Sequence, residues 1–287
     1  MKSRDLPETV MHVVFLAAAC TSILAVFLIC LFLLANGLPA IIKIGAAHFL
    51  LGREWAPQDI PASFGIFPMI MGSLYITAGA VLTGVPVGIF TAVFLAKFCP
   101  EKLYVIIKPC VQLLAGIPSI VYGFFGIMLL APFVKNHFGG NGFSILTASI
   151  LLGIMILPTI IPIAENAIRA VPEHYYEGSL ALGASHERSV FFVLVPAARS
   201  GILASVILGL GRAIGETMAV IMIAGNQARM PESVLDGIRT LTANIVLEMG
   251  YASGTHWDAL IATGAVLFIF VLLINLSFSF ITRTKQS

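Results

Sequence analysis

The segment that decides the fold reads Glu173-His174-Tyr175-Tyr176-Glu177-Gly178-Ser179-Leu180-Ala181-Leu182-Gly183, and nine residues further on comes Val193-Leu194-Val195-Pro196. Pro172 and Glu173 suit a helix start, because proline tolerates the first turn and an acid complements the positive end of the helix dipole. Gly183 suits the helix end. The predicted helix is rich in small and apolar residues, which a loop facing only water does not require. We therefore expect it to insert into a partner protein.

The composition around this segment is typical of an integral membrane protein. Of the 287 residues, 59% are hydrophobic and 10% are charged, and the mean hydropathy is +1.00. Soluble domains carry about 25% charged residues, so this chain has too few charges to cover a water-exposed surface. A soluble enzyme, a disulfide-rich secreted domain and a disordered chain are excluded. The net charge of +2 gives no sign of nucleic-acid binding, and the four cysteines lack the spacing of a metal site.

Six apolar runs are long enough to cross a membrane, which takes about 20 residues of helix. They are 12–35, 68–96, 109–134, 143–164, 201–225 and 259–281. The first run is expected to be retained, because it lacks a convincing small-residue cleavage site. The sequence therefore predicts a single all-α membrane domain over 1–287, with membrane lipid as its solvent.

The basic residues of the connecting segments predict the orientation. Ten Lys and Arg residues lie in the two termini and the second and fourth links, against five in the first, third and fifth links. The positive-inside rule then places both termini and the 165–200 loop in the cytoplasm. The longer links 36–65 and 226–257 are expected to face outward.

Two charged residues lie inside the fifth apolar run, which reads Gly209-Leu210-Gly211-Arg212-Ala213-Ile214-Gly215-Glu216-Thr217-Met218. Arg212 falls roughly 15 Å into the run, where an arginine costs on the order of 2.5–3.5 kcal/mol. Glu216 follows four residues later, so we expect both side chains on one helix face. Gly211 and Gly215 form a pair of small residues that admits another helix closely.

Two interpretations of Arg212 and Glu216 stay open. In the first, the two residues form a self-neutralising ion pair that holds helices together. In the second, they line a substrate path. In the second case the planar guanidinium contacts an oxyanion such as phosphate, and Glu216 tunes or gates it. Ser73, Thr77 and Ser119 are candidate hydroxyl donors on the path, with bonding to their own helix backbone as the alternative.

Residues 177–196 resemble the cytoplasmic signature of importer permeases of the ATP-binding-cassette (ABC) class. That signature is EAA, three residues, G, nine residues and I-x-L-P. Here Glu177-Gly178-Ser179, Gly183 and Val193-Leu194-Val195-Pro196 stand at the same spacing, with Gly178 and Ser179 in place of the two alanines. The resemblance implies a coupling helix that docks in a groove of an ATPase subunit, with Glu177 in polar docking and Gly183 in the turn.

Two further stretches resemble the phosphate-specific permeases. They are Gly211-Arg212-Ala213-Ile214-Gly215-Glu216-Thr217-Met218-Ala219-Val220 and Gly116-Ile117-Pro118-Ser119-Ile120-Val121-Tyr122-Gly123. The outward stretches Trp55-Ala56-Pro57, Phe64-Gly65-Ile66 and Gly72-Ser73-Leu74 are similar to the PstC rather than the PstA subunit. The resemblance implies six transmembrane helices in the type I (MetI-like) ABC importer permease fold, with both termini cytoplasmic.

The resemblance also implies partners. They are two ATP-binding-cassette ATPase subunits, a homologous second permease of the PstA type and a periplasmic phosphate-binding protein, in the cytoplasmic (inner) membrane of a bacterium or archaeon. The chain has no G-x-x-x-x-G-K-[ST] phosphate loop. ATP and Mg²⁺ are therefore expected on the ATPase subunits, and this chain is expected to be a transport subunit without a cofactor, a metal or a catalytic residue.

Three alternatives remain at the level of sequence. The same fold could carry molybdate, tungstate or sulfate, which are also tetrahedral oxyanions. A proton-coupled secondary transporter would use Glu216 as its proton carrier and would need no coupling helix. An intramembrane enzyme is disfavoured, because no span offers a Ser/His or His-rich constellation.

Overall fold

The computed structural model describes the backbone of residues 5–284 and the side chains of residue 8 and residues 10–276. Lys2, Arg4, Arg283 and Lys285, which contribute to the predicted orientation, lie outside the described side chains. The elements in chain order are α1 Asp5–Ile44, α2 Ala46–Leu51, β1 Trp55–Ala56, β2 Ser63–Phe64, α3 Phe67–Val93, α4 Glu101–Gly116, α5 Ser119–Phe125, α6 Ala131–Phe138, α7 Ile145–Arg169, α8 Glu173–Ala181, α9 His186–Ser189, α10 Val195–Ala197, α11 Arg199–Gly215, α12 Met218–Ile223, α13 Leu241–Glu248 and α14 Thr255–Thr284. Three π-helical segments, Phe94–Phe98, Gly126–Leu130 and Val190–Leu194, extend or join these helices.

Five helices of the described chain are long and apolar enough to span a membrane. They are Val10–Ile44, Phe67–Phe98, Ser119–Phe138, Ile145–Arg169 and Thr255–Leu276. A sixth span is obtained when His186–Ala197 and Arg199–Gly215, which meet at 69°, are counted together. The apolar runs of the sequence thus correspond to helices, while the loop predicted over 165–200 begins only after Arg169, where α7 ends.

α7 is the central helix and α1 is the peripheral one. In the most apolar window of α7, 67% of the residues are buried, against none in α1. Glycines allow α3 and α11 to pack closely on α7. A Cβ on Gly84 would lie 2.5 Å from the carbonyl oxygen of Gly153, and a Cβ on Gly209 would lie 2.8 Å from Ile160. Ile76 of α3, Ile156 of α7 and Ala213 of α11 belong to one buried hydrophobic cluster.

Two of the predicted spans are broken. The third, predicted over 109–134, is divided at Ile117–Pro118: α4 ends at Gly116, and Ile117 is extended with ψ 124°. The residue before a proline is disfavoured in the helical conformation, which explains this break. The fifth, predicted over 201–225, is divided between α11 and α12 at Glu216–Thr217. No proline lies near the second break, so no local signal in the sequence marks it.

The connecting segments collect at two ends. At the hairpin end, defined by residues 45–66, 139–144 and 224–254, β1 pairs with β2 and the backbone N–H of Ile145 donates to Asp236 at 3.0 Å. At the coupling end, defined by residues 99–100 and 170–198, Arg169 donates to the carbonyl of Leu95 at 2.7 Å. The bundle therefore has one end built from short helices α8 to α10 and another built from the hairpin and α13.

Candidate functional site

The predicted helix after Pro172 is confirmed as α8, and its end has a defined geometry. Gly183 has φ +85°, in the left-handed region that favours glycine. Its N–H donates to Leu180 at 2.9 Å, and the N–H of Ala184 donates to Ser179 at 3.2 Å. These two bonds form the Schellman motif, which satisfies the last carbonyls of the helix. Gly183 therefore fixes the turn between α8 and α9.

The outer face of α8 is open. None of its residues is buried, and the neighbouring Leu182 is 91% exposed. Glu177 is exposed, and a Cβ on Gly178 or Gly183 would meet no atom within 4 Å. Exposed apolar and small residues beside a carboxylate form a surface that another protein could cover.

The inner face of α8 is anchored at three points. The hydroxyl of Ser179 lies 2.9 Å from that of buried Ser189, and the hydroxyl of Tyr176 lies 2.7 Å from Nδ1 of His186. Lys97, from the π-helical segment after α3, lies 3.4 Å from the Glu173 carboxylate. Residues 173–196, the coupling segment, are thereby attached to both the α9 side and the α3 side.

Pro196 lies in α10, immediately before the bend of 69° into α11. It is exposed, whereas Leu194 and Ala198 on either side are buried. The end of the coupling segment is therefore packed into the bundle where the transmembrane part of α11 begins.

Arg212 lies in the last turn of α11 and is partly buried. Its Nη1 donates to Oγ1 of Thr159 on α7 at 3.3 Å. Among the residues that the structure describes, no carboxylate lies within 4 Å of its guanidinium. The positive charge is therefore held by a hydroxyl and has no intrachain counter-ion in that part of the chain.

Within residues 10–276, whose side chains are described, Arg212 and Glu216 do not form the ion pair of the first interpretation. The helix ends at Gly215, and Glu216 is extended with φ −68° and ψ 133°. Its Oε1 accepts the backbone N–H groups of Thr217 at 3.1 Å and Ala219 at 3.3 Å, while its carbonyl accepts the hydroxyl of Thr242. A carboxylate in this position satisfies free N–H groups at the start of α12. Glu216 thus caps α12 and does not pair with Arg212.

The expected close approach at Gly211 and Gly215 is not made by any residue that the structure describes. A Cβ on either glycine would meet no atom within 4 Å. Gly201 and Gly209 are the α11 glycines that contact α7, through Ala167 and Ile160. The Gly211–Gly215 side of α11 is left open next to Arg212.

The candidate hydroxyl residues fall into two places. Ser73 and Thr77 line a cavity of about 220 Å³ together with Leu210 and Ile214. Leu210 and Ile214 are each two residues from Arg212, which corresponds to a rotation of about 200° around the helix. They therefore lie on the opposite side of α11 from Arg212. Ser73 does not bond its own helix but accepts the backbone N–H of Leu241 at 3.1 Å. Ser119 begins α5, directly after the break at Pro118 and one turn before Tyr122.

Two buried carboxylates that were not predicted from the sequence hold several segments together by hydrogen bonds, one near the coupling end and one at the hairpin end. Glu165 is 1% exposed and accepts hydrogen bonds from Tyr104 at 2.7 Å, Lys108 at 3.2 Å and Arg169 at 2.9 Å. It joins α4 to α7 near the coupling end. Its spacing of four residues from Arg169 is the signal that could have revealed it.

Glu248 joins distant segments at the hairpin end, as Glu165 does near the coupling end. It is 5% exposed, and its carboxylate is bonded by Trp55 at 2.8 Å, His256 at 2.8 Å and Arg239 at 2.5 Å. Burial and then the Glu248 carboxylate raise the pKa of the nearby Tyr251 hydroxyl. The partners are up to 193 residues apart in sequence, so no local pattern predicts this cluster.

Comparison with known proteins places the chain in a family. The family described as "Binding-protein-dependent transport system inner membrane component" matches residues 84–284. "Probable ABC transporter permease protein YqgH" of Bacillus subtilis is 37% identical over 96% of this chain and 92% of its own length. "Phosphate transport system permease protein PstC" of Mesorhizobium japonicum is 34% identical over 94% and 88%, and that of Haemophilus influenzae is 34% identical over 86% and 84%.

Solved structures agree with the fold. The MetNI methionine ABC transporter in an inward-facing conformation matches with a TM-score of 0.62 at 22% identity, covering 76% of this chain and 95% of its own. A bacterial ABC transporter involved in alginate import matches with a TM-score of 0.65 at 17% identity, covering 98% and 99%. The predicted fold class, the all-α ABC importer permease fold, is confirmed. This multi-pass membrane chain belongs to the binding-protein-dependent transport system inner membrane component family, as a PstC-like permease subunit of the ABC importer type.

Proposed function

We propose that this chain forms the membrane pathway for inorganic phosphate in an ATP-driven importer of the cytoplasmic membrane. Two separate ATPase subunits bind ATP and Mg²⁺ and hydrolyse the ATP at the coupling end. A second, PstA-like permease completes the pathway, and a periplasmic phosphate-binding protein delivers phosphate at the hairpin end. The PstC names of the curated relatives support phosphate as the cargo.

The single observation that carries this proposal is that Arg212 is partly buried and has no carboxylate partner among the described residues. Its guanidinium is partly buried and is held by the hydroxyl of Thr159. The nearby carboxylate of Glu216 is occupied by the N–H groups of Thr217 and Ala219. A positive charge in this position needs an anion or a polar cavity, because lipid rejects it. A guanidinium presents a fork of donors that matches the oxygens of phosphate.

The coupling segment supplies the link to ATP hydrolysis in this proposal. The ATPase subunit contacts the exposed face of α8, around Glu177 and Leu182. Closure of the two ATPases moves α8, and its anchors at Ser189 and Lys97 pass the motion to the spans. The pathway then opens towards the binding protein, and it returns to the cytoplasmic side after hydrolysis.

A second candidate cargo is another tetrahedral oxyanion. Molybdate, tungstate or sulfate would also fit a guanidinium, and the binding protein would then set the selectivity. A proton-coupled transporter is less well supported, because the carboxylate oxygen of Glu216 already accepts two backbone N–H groups.

Replacement of the arginine tests the proposal. Arg212→Gln is expected to lower phosphate uptake about tenfold to hundredfold, the worth of a hydrogen bond to a charged group, in transporters that assemble normally. Uptake of radiolabelled phosphate by cells is the measurement, and co-purification of the ATPase subunits checks assembly. Lys102→Gln, at an exposed cation of α4 outside the hairpin end and the coupling segment, is the control. Unchanged uptake by Arg212→Gln would refute the anion role.

A further inference from the structure

A groove between α1 and the start of α14 has the chemistry of a lipid headgroup site. Its volume is about 370 Å³, and Lys43, Asp258, Asn36, Trp257, Phe32 and Ile261 are among its lining residues. None of these residues belongs to the coupling segment or to the surroundings of Arg212. The groove is therefore separate from the transport site.

The two charged residues of the groove lie at the same depth. Gly37 of α1 packs against α14, because a Cβ there would lie 2.7 Å from the Cβ of Ala265 and 3.4 Å from the Cα of Ala262. The two helices run in opposite directions. Lys43, six residues or about 9 Å after Gly37, is then level with the first turn of α14, where Asp258 lies. One wall thus carries an ammonium and the other a carboxylate.

Neither charge has an ionic partner among the described residues. In the described part of the chain, Lys43 and Asp258 form no ion pair with each other or with any other residue. Lys43 is exposed, and Asp258 is partly buried. A ligand that carries a separated negative and positive charge would satisfy both.

The position of the groove is that of a membrane interface. Trp257 is 40% exposed, and tryptophan is enriched at the headgroup level, where lysine also places its ammonium. The deeper end is formed by Phe32, which is 55% exposed, at the top of the apolar stretch of α1. Val10, Phe15, Ile23 and Phe27 along that stretch are at least 55% exposed as well. Acyl chains can therefore continue downward from the groove along α1.

We propose that this groove binds a zwitterionic phospholipid with a primary ammonium headgroup, of the phosphatidylethanolamine type. Lys43 contacts the lipid phosphate, Asp258 accepts a hydrogen bond from the ammonium, and Phe32 and Ile261 contact the acyl chains. The charges favour this headgroup over others. An anionic phosphatidylglycerol would leave Asp258 without a cation, and the choline group of phosphatidylcholine has no N–H to donate.

Tryptophan fluorescence can test this proposal in the full chain. The chain has two tryptophans, and Trp55 is buried in the Glu248 cluster. Quenching by acyl-brominated lipids in vesicles, measured for the parent and for Trp257→Phe, gives the Trp257 contribution by difference. We expect brominated phosphatidylethanolamine to be preferred over brominated phosphatidylglycerol and phosphatidylcholine by about two- to fivefold, the range that exposed ion pairs support.

Charge variants complete the test. Asp258→Asn should abolish the preference over phosphatidylcholine, and Lys43→Gln should weaken the binding of all three phospholipids. Asp59→Asn and Arg53→Gln, at exposed positions of the hairpin end, should change neither the headgroup preference nor the binding of the phospholipids. Equal quenching by the three headgroups in the parent, or a preference that survives Asp258→Asn, would overturn the proposal. The absence of Trp257 quenching in the assembled transporter would overturn it as well, since a partner protein would then fill the groove.

Discussion

Gly183 shows at the scale of one residue how the coupling segment depends on backbone conformation. Its φ of +85° is strained for any residue with a Cβ. Gly178, five residues earlier, lies inside α8, where glycine is less favourable than alanine. Both positions are open to solvent, so substitution at either changes the backbone preference without creating a clash.

This pair gives a matched prediction. Gly183→Ala is expected to destabilise the turn after α8 by about 1 kcal/mol and to reduce phosphate uptake per ATP hydrolysed. Gly178→Ala is expected to favour α8 by roughly 0.5–1 kcal/mol and to preserve coupling. The measurement is the ratio of phosphate transported to ATP hydrolysed in proteoliposomes. If Gly183→Ala coupled as well as Gly178→Ala, the turn would not determine docking.

Single residues also mark the limit of the sequence analysis. Pro172, Glu173 and Gly183 predict α8 because their preferences are local. Arg212 is recognisable by its cost in a membrane. The role of Glu216 could not be predicted, because no proline or other local signal marks the break between α11 and α12. Its carbonyl also accepts a hydrogen bond from Thr242, which is 26 residues away in sequence.

At the scale of helices, buried Glu165 joins the elements next to the coupling end. It receives hydrogen bonds from Tyr104 and Lys108 of α4 and from Arg169 of its own helix, and Arg169 also bonds Leu95. A buried carboxylate that accepts three hydrogen bonds holds its surroundings together, and loss of its charge weakens those bonds. Glu165 therefore acts as a structural connection between α4, α7 and the segment after α3.

Glu165→Gln is expected to destabilise the protein strongly. The ionic partners Lys108 and Arg169 are 27% and 43% exposed, so the loss of the charged hydrogen bonds should cost about 1.5–3 kcal/mol. This loss should lower the thermal unfolding temperature of the purified transporter. The matched control is Glu173→Gln, since Glu173 is 62% exposed and its ion pair with Lys97 measures 3.4 Å. That change should cost at most about 1 kcal/mol. Equal effects of the two variants would show that the Glu165 cluster contributes no more than a surface pair.

Helices were more predictable than their interruptions. The apolar runs identify the membrane-length helices, because hydrophobicity over about 20 residues is a strong signal. The break at Ile117 follows from Pro118, although continuous hydrophobicity conceals it. The contacts of Glu248 with Trp55 and His256 could not be predicted, because they join segments that are distant in sequence.

At the scale of the whole molecule, the coupling end and the hairpin end should face opposite sides of the membrane. The excess of basic residues in the links of the coupling end predicts that this end is cytoplasmic. Leu182, 91% exposed, and Ile60, 101% exposed, are the natural reporters of the two ends.

A labelling experiment tests this orientation. In a background in which Cys20, Cys30, Cys99 and Cys110 are replaced by serine, Ile60→Cys should react with a membrane-impermeant maleimide added to intact cells. Leu182→Cys should react only after the membrane is opened, and bound ATPase subunits should protect it. Labelling of Leu182→Cys from outside intact cells would reverse the orientation.

The most direct test of the central claim is transport by the reconstituted complex. The chain would be placed in proteoliposomes with its second permease, the ATPase subunits and the phosphate-binding protein. Radiolabelled phosphate should accumulate only when ATP and Mg²⁺ are present on the side of the coupling segment, and Arg212→Gln should lower the accumulation about tenfold to hundredfold. Accumulation driven by a proton gradient without ATP, or ATP-driven accumulation of sulfate or molybdate but not phosphate, would contradict the account.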